Sequence, residues 1–400
     1  MALAAPLATA AQPQAAPEPT PATPATSTTP ATPTAPVAPA PLRTSADAVP
    51  GEYIVTLDKG VDAAELARKL GLKPKHVYTS VLNGFAAPLT GLQLEGVRKS
   101  LGVKAVEEDT RVASAPAPST APKAPSSSWG LDRVDQRQLP LNDDFTVNGN
   151  GAGVTAYILD TGIDYTHPEF GGRASAGFDA MPDAGVQRGR DCNGHGTHVA
   201  GTVAGATYGV ARKANLVSVR VLGCDGKGSY AGMIAGMDWV AKNARQPAVL
   251  NGSLGGPRSE VLNKAADAVS DAGVLPVIAA GNEAQDACNV SPASAARVIT
   301  VAASDRWDRE TSFSNYGPCV SLYAPGQDIV SARLGGGSIA ENGTSMAAPH
   351  VTGLAALYKQ AHPNELPEDV ASFLLEESTK DVLTSLSKGT PNRLLFTAGL

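Results

Sequence analysis

Aromatic residues, basic charge, cysteine and long apolar runs are all scarce in this sequence, and each shortage removes a class of function. Phe, Trp and Tyr make up 5% of the 400 residues, and the formal net charge is −6. Nucleic-acid binding draws its affinity from cations that displace counterions from phosphates, so a net acidic chain with few stacking rings excludes that role. No apolar stretch reaches the roughly 20 residues that a membrane-spanning helix needs, so a soluble chain with no membrane partner is expected. There is no His-Glu-x-x-His pattern, which argues against the zinc-peptidase helix. Cys192, Cys224, Cys288 and Cys319 are the only four cysteines; they allow three pairings. An even count fits disulfides in an oxidising compartment.

Alanine, proline and threonine are abundant, and they are unevenly spread. Residues 1–10 are apolar and end in Ala8-Thr9-Ala10, like the tail of a signal peptide, although no basic stretch precedes them. Residues 11–43 are almost wholly Ala, Pro, Thr and Gln. Such a composition buries too little apolar area to offset its ordering entropy, so an extended, disordered segment is expected. The expected organisation is a leader and disordered segment over 1–45, a small domain over 46–112, an Ala/Pro/Ser-rich processing linker over 113–128 and a large domain over 129–400.

The small domain has its own rhythm. A strand at Tyr53–Leu57, a helix at Asp62–Leu70, strands near 76–82 and 85–89 around a Gly84 turn, a helix near 92–101 and a strand near 103–107 give β-α-β-β-α-β. From Trp129 onward, buried-type strands at 153–159, 215–221, 247–251, 274–280, 297–303 and 320–324 alternate with helices near 195–205, 229–243, 257–271, 345–361 and 366–377. That alternation predicts an α/β domain with a parallel sheet covered on both faces. Sites in such sheets lie beyond the carboxyl ends of strands. Asp160 falls at one such end and Asn282 just beyond another.

Three short motifs carry the chemistry. Asp160 is followed by Thr161-Gly162; His195 lies in Asn193-Gly194-His195-Gly196-Thr197-His198-Val199-Ala200-Gly201-Thr202; Ser345 lies in Gly343-Thr344-Ser345-Met346-Ala347-Ala348-Pro349-His350. A serine hydroxyl is a weak nucleophile without a base and an orienting group, and the order Asp, His, Ser is one of the orders known for hydrolase triads. The residue two after Ser345 is Ala347, so this is not the Gly-x-Ser-x-Gly elbow of lipase-type hydrolases. Flanking Gly194 and Gly196 are expected to leave His195 uncovered, and Pro349 is expected near the first turn of its helix, where a missing N–H costs little.

Together these motifs resemble the signature of the subtilases. Trp129-Gly130-Leu131-Asp132-Arg133, Ser253-Leu254-Gly255-Gly256, Ser312-Phe313-Ser314-Asn315-Tyr316-Gly317 and Pro391-Asn392-Arg393-Leu394-Leu395 are similar to the proteinase K and aqualysin branch, and the likeness runs from about residue 125 to the C-terminus. Residues 50–112, opening on Pro50-Gly51-Glu52-Tyr53-Ile54-Val55, resemble the inhibitor-type propeptide of that family.

The resemblance implies a subtilisin-like α/β fold preceded by a small ferredoxin-like α+β propeptide, and a secreted, monomeric serine endopeptidase made as a self-processing zymogen. It gives roles to Asp160 (orienting acid), His195 (base), Ser345 (nucleophile) and Asn282 (oxyanion donor), and a packing or hydrogen-bonding role to His198. Substrate is expected as an added strand between Gly228-Ser229-Tyr230 and Ser253-Leu254-Gly255. A pocket at Ala279-Ala280-Gly281 would prefer apolar or aromatic side chains, and no catalytic cofactor is required. The propeptide is expected to act as chaperone and inhibitor, with its tail near 107–112 in the cleft and cleavage between about 112 and 124. The resemblance also implies Cys192–Cys224 and Cys288–Cys319 bridges, each worth about 3–4 kcal/mol on a chain-entropy account. It implies Ca2+ at Asp132, Asp135, Gln136 and Asp144, oxygen donors suited to a hard cation. A second calcium site, using carbonyls near Ala296 and Val298, is weakened because Ser321 stands where a carboxylate is needed. An esterase using the same triad and a non-catalytic scaffold are the competing readings.

Overall fold

Ala38–Leu400 folds as one unit in the computed structural model, which describes residues 1–2, 11, 38–114, 128–181 and 188–400. The expected leader and most of the Ala/Pro/Thr-rich segment lie outside the described residues, as does the linker from 115 to 127.

The N-terminal α+β domain contains β1 (Leu42–Arg43), β2 (Ala48–Leu57), α1 (Ala63–Lys69), β3 (His76–Tyr78), β4 (Gly84–Pro88), α2 (Gly91–Arg98) and β5 (Val103–Ala113). Both helices begin where the sequence caps them. Asp62 accepts the Glu65 N–H at 2.8 Å. Thr90 and Gln93 form a reciprocal capping box, with Thr90 N–H to Gln93 Oε1 at 2.9 Å. Val55, Leu57, Ala67, Phe85, Val97 and Val106 form the core between sheet and helices. Gly84 is required by close approach, since a Cβ there would sit 2.1 Å from the Val55 carbonyl oxygen. The strand order is β1-β5-β2-β4-β3.

Two differences from the sequence expectation matter. Residues 38–43, inside the stretch expected to be disordered, have a defined place in the fold, and Leu42–Arg43 pairs in parallel with β5. Strand β5 runs on to Ala113 instead of ending near residue 107.

The C-terminal domain contains α3 (Trp129–Val134), β6 (Thr155–Asp160), β7 (Ala174–Asp179), α4 (His195–Ala204), β8 (Asn215–Arg220), β9 (Lys227–Ser229), α5 (Tyr230–Asn243), β10 (Ala248–Gly252), β11 (Gly256–Pro257), α6 (Glu260–Asp271), β12 (Leu275–Ala279), β13 (Val290–Ser291), β14 (Ile299–Ser304), β15 (Leu322–Pro325), β16 (Ile329–Ala332), β17 (Ser338–Glu341), α7 (Thr344–Ala361), α8 (Pro367–Glu376), β18 (Thr379–Lys380) and β19 (Arg393–Leu394). The main sheet has the order β18-β19-β15-β14-β12-β10-β6-β8-β7, and every pair from β7 through β19 is parallel. Strands β6, β10, β12 and β14 are buried along their whole length, as near-continuous apolar runs in a two-face-covered sheet should be. Helices α4 and α7 cover one face around Val199, Val203, Met346 and Leu354. Helices α5 and α6 cover the other around Met233, Ile234, Leu262 and Val269. The Cys192–Cys224 and Cys288–Cys319 bridges are both formed, across separations of 32 and 31 residues.

Candidate active site

Asp160, His195 and Ser345 come from three elements that meet over the carboxyl end of the sheet: the last residue of β6, the first of α4 and the second of α7. Helix α4 can approach β6 because residue 196 is glycine. A Cβ there would lie 2.2 Å from the Gly162 carbonyl oxygen. Gly196 therefore serves packing and Gly194 a left-handed backbone at φ 115°, and His195 itself is only 3% exposed with the N-terminal domain in the cleft, which corrects the expectation that the two glycines leave it uncovered. Asp191 holds the turn ahead of the helix, accepting the Gly194 N–H at 2.9 Å and the Thr197 N–H at 2.9 Å.

The His195 Nδ1–H donates to Asp160 Oδ1 at 2.7 Å. Burial alone would depress the imidazole pKa; the charge and hydrogen bond of Asp160, with Glu341 and Asp191 further off, overcome this and raise it. His195 Nε2 is buried and has no hydrogen-bond partner among the described residues. Ser345 Oγ donates to the Ser253 carbonyl at 3.2 Å, so the serine and the imidazole are not hydrogen-bonded in this state.

The backbone at Ser345 is set by a relay that the sequence did not disclose. Pro349 is the sixth residue of α7, not a first-turn residue. Its missing N–H leaves the Ser345 carbonyl without a helical donor. The Ser253 hydroxyl supplies one at 2.9 Å; Asn251 Nδ2 donates to that hydroxyl at 2.8 Å, and Thr352 Oγ1 to Asn251 Oδ1 at 2.8 Å. Asn282 Oδ1 accepts the Thr344 N–H at 2.8 Å and the Thr344 hydroxyl at 2.9 Å, which ties the asparagine to the residue before Ser345.

A cavity of about 380 Å3 adjoins Ser345 and is lined by Leu254, Gly255, Ala279, Gly281 and Asn282. Ala280, expected in this pocket, faces inward and packs in the cluster of Ala302 and Tyr323, because neighbours along an extended chain point to opposite sides. Glu283, which the sequence reading did not place, also lines the wall. Its Oε2 accepts Asn315 Nδ2 at 2.8 Å and the Asn282 N–H at 3.0 Å, so the acid is committed to the protein.

The N-terminal domain fills the cleft. Strand β5 pairs antiparallel with β9, placing Arg111 opposite Ser229 and Val112 opposite Gly228. Ala113 bridges to Gly255, and the Ser114 N–H donates to the Gly226 carbonyl at 2.8 Å. Both expected cleft edges are thus used. Gly226 and Lys227 extend the first; the Tyr230 hydroxyl instead bonds the Pro257 carbonyl behind it. Around the tail, Asp238 Oδ1 accepts the N–H groups of Thr79, Ser80 and Val81 at 2.9, 2.7 and 3.0 Å. Asp109 accepts the Ala231 N–H at 2.9 Å, in the first turn of α5, where the helix dipole favours an anion. Glu107 bonds the Ser259 hydroxyl that caps α6. Burial raises the pKa values of both Glu107 and Asp109, and these hydrogen bonds partly offset the rise.

His198, three residues after His195, places Nε2 at 3.0 Å from the Ile329 carbonyl and 3.2 Å from the Ile339 carbonyl. It pins the β16–β17 hairpin to α4. Among the described residues no three His, Cys, Asp or Glu side chains are grouped to hold a metal. Around the expected calcium loop, Asp132 accepts the Asn142 and Asp143 N–H groups at 3.2 and 2.8 Å. Asp135 Oδ2 accepts the Thr146 N–H at 2.6 Å, while Gln136 Nε2 donates to the Pro140 carbonyl at 2.8 Å. Asp144 accepts the Thr146 hydroxyl at 2.8 Å. At the second expected site Ser321 Oγ accepts the Thr300 N–H at 3.0 Å. Among the described residues no helix is long and apolar enough to cross a membrane.

Residues 151–399 match the subtilase family, and residues 52–115 match the peptidase inhibitor I9 family. An extracellular serine proteinase of Thermus sp. (strain Rt41A) is 44% identical over 378 residues, spanning 88% of this chain and 90% of that protein. Alkaline serine exoprotease A of Vibrio alginolyticus is 44% identical over 326 residues, and the match spans 81% of this chain and 60% of that relative. The crystal structure of a cold adapted subtilisin-like serine proteinase superposes with a TM-score of 0.65 at 46% identity, covering 68% of this chain and 99% of that one. With a parallel sheet that brings Asp160, His195 and Ser345 to one cleft and an I9 domain seated in it, the chain belongs to the subtilase family of serine proteinases.

Proposed function

We propose that the chain is the zymogen of an extracellular serine endopeptidase that first cuts itself and then cleaves proteins broadly. The observation that carries this reading is the seating of Arg111–Ser114 between the two cleft edges, beside Ser345 and the Asp160–His195 pair. A substrate bound in the same way gains main-chain hydrogen bonds with little side-chain selection.

For reaction, Ser345 Oγ leaves the Ser253 carbonyl and donates to His195 Nε2, the imidazole nitrogen without a hydrogen-bond partner among the described residues. As Oγ bonds to the scissile carbonyl carbon, its proton passes to Nε2. The C–N bond then breaks as Nε2 returns the proton to the leaving amine, and water repeats the sequence on the acyl-enzyme. The Asn282 side-chain amide and the Ser345 N–H stabilise the oxyanion. Replacing Asn282 with alanine is expected to lower kcat about 10²–10³-fold, the loss known for the oxyanion asparagine in subtilisin itself. KM should change little; steady-state kinetics on a peptide anilide check both. The walls Leu254, Gly255, Ala279 and Gly281 suit an apolar or aromatic residue before the scissile bond, and Glu283 is already paired. The self-cut falls between about residues 112 and 124, a range supported by the seating of Arg111–Ser114 along the cleft edges.

Calcium is proposed at the loop of Asp132, Asp135, Gln136 and Asp144 on the sequence resemblance; among the described residues the carboxylates there accept backbone and hydroxyl hydrogen bonds and are not grouped as a ligand set. Burial raises the Asp135 pKa, and the charges of Asp132 and Asp144 raise it further, while Asp135 Oδ1 is buried without a hydrogen-bond partner among the described residues. A hard cation held by these residues would relieve that repulsion. A bound ion at 100 times its Kd adds about 2.7 kcal/mol to stability, so chelation is expected to lower Tm by several degrees. An Asp135→Asn variant should no longer respond, and an unchanged wild-type melt would remove the site. The two disulfides suit an oxidising, extracellular setting.

A further inference from the structure

The I9 match begins at residue 52, yet residues 38–47 precede it and lie along the tail-bearing strand β5. The Ala40 N–H donates to the Arg98 carbonyl at 2.7 Å and the Val106 N–H to the Pro41 carbonyl at 2.9 Å. Leu42 and Arg43 pair in parallel with Val106 and Glu107. The Ser45 N–H donates to Glu108 Oε2 at 3.0 Å, and the Arg111 N–H to the Asp47 carbonyl at 3.0 Å. Residues 40–47 therefore cover an edge of β5 that would otherwise be unpaired.

The same segment also touches the catalytic domain. Arg43 Nη2 lies 2.6 Å from Glu260 Oε2, on the first residue of α6, and Arg43 Nη1 lies 4.0 Å from Glu107 Oε2. Seating the inhibitor domain brings Glu107 against Glu260, two like charges that repel. Glu107 Oε2 is buried and has no hydrogen-bond partner among the described residues. The guanidinium of Arg43 stands between the two carboxylates. Further along, Asp47 lines the same cavity as Ser345.

We propose that the N-terminal end of α6 is a second docking surface for the propeptide, occupied by residues 38–47, with Arg43 as the cation that joins Glu107 of the inhibitor domain to Glu260 of the protease. The functional inhibitor then includes residues 38–47, ahead of residue 52, and these residues slow its departure after the self-cut. This rests on the reading of the N-terminal domain as an inhibitor that Ser345 cuts free.

The test uses the full chain. The interval between chain cleavage, followed on gels, and the appearance of peptide hydrolysis is measured for wild type, Arg43→Glu, Glu260→Arg, the Arg43→Glu/Glu260→Arg pair and a deletion of residues 38–47. Arg43→Glu gathers three acids and is expected to shorten the interval about threefold, in the range of an exposed ion pair. The charge-swapped pair should restore it, because the cation placed at position 260 would then stand between the acid placed at position 43 and Glu107. The deletion, which also removes main-chain bonds, should shorten it about tenfold or more. An unchanged interval in the deletion overturns the proposal. So does Arg43→Glu shortening that the swapped pair fails to restore, which would place the effect inside the inhibitor fold. Absence of both cleavage and hydrolysis in wild type would instead defeat the underlying protease reading.

Discussion

Replacing Ser345 with alanine is expected to leave the chain at full length and to abolish casein hydrolysis, while wild type sheds its N-terminal domain. The expected fall in kcat is about 10⁶, a magnitude carried over from loss of the nucleophile in subtilisin. The neighbouring hydroxyl does not substitute for it: Thr344 also lines the cavity that adjoins the tail, but its Oγ1 donates to Asn282 Oδ1 at 2.9 Å and accepts the Gly281 N–H at 3.1 Å. The fold should survive. The serine side chain donates one hydrogen bond, to the Ser253 carbonyl, while the Ser345 carbonyl keeps its bond from the Ser253 hydroxyl in the alanine variant. Gel analysis of the purified variant against wild type checks processing, and a thermal melt checks folding. Maturation of the variant at the wild-type rate, without added protease, would remove Ser345 from the processing step.

The next largest effect is expected at Asp160. Exchanging it for asparagine should cost about 10⁴ in kcat at neutral pH, the loss seen for this exchange in another Ser-His-Asp protease. The reason is tautomeric. Asp160 Oδ1 accepts the Nδ1 proton of His195 and so keeps Nε2 proton-free, able to receive the Ser345 proton. An asparagine amide can donate to Nδ1 and leave the proton on Nε2. The pH profile should also move. Asp160 is the main group raising the His195 pKa against its burial, so its loss shifts the acid limb of kcat/KM toward lower pH. Stability follows with the same sign. A histidine pKa raised by folding contributes stability that is complete below the ordinary imidazole value and is lost as pH rises through the raised one. The variant should therefore lose more stability in acid than in alkali. A pH-rate series paired with melts reads both shifts, and an acid limb that stays in place would show that Asp160 does not set the imidazole.

Much of the catalytic domain was legible because its strands are buried on both faces and its helices are long. The apolar runs that read as strands at 153–159, 274–280 and 297–303 appear at Thr155–Asp160, Leu275–Ala279 and Ile299–Ser304. What escaped was short, polar or dependent on partners. The hairpin of Ile329–Ala332 and Ser338–Glu341 carries no strong alternation, and it is held by His198 from another element. Residues 38–43 have the composition of a spacer and fold because β5 offers them an open edge. The tail beyond residue 107 is a strand because β2 pairs with Glu108 and Thr110 and β9 with Arg111–Ala113. At the site, short motifs located Asp160, His195, Ser345 and Asn282, since each lies among small residues that few other contexts require. Asn251, Thr352 and Glu283 gave no such signal; their roles depend on distances between segments far apart in the chain. Pro349 offered a clue that could have been followed: a proline inside a helix frees the carbonyl four residues back, and here that carbonyl belongs to Ser345.

The central claim is that Ser345 is the residue that becomes acylated. The most direct measurement is to treat the matured protein with a phosphonylating serine reagent and locate the adduct by mass spectrometry as activity falls. The account expects one adduct per molecule, on the peptide containing Ser345, rising in proportion to lost activity and absent from the Asp160→Asn variant on the same timescale. Complete inactivation with Ser345 unmodified, or full activity with Ser345 modified, would contradict it.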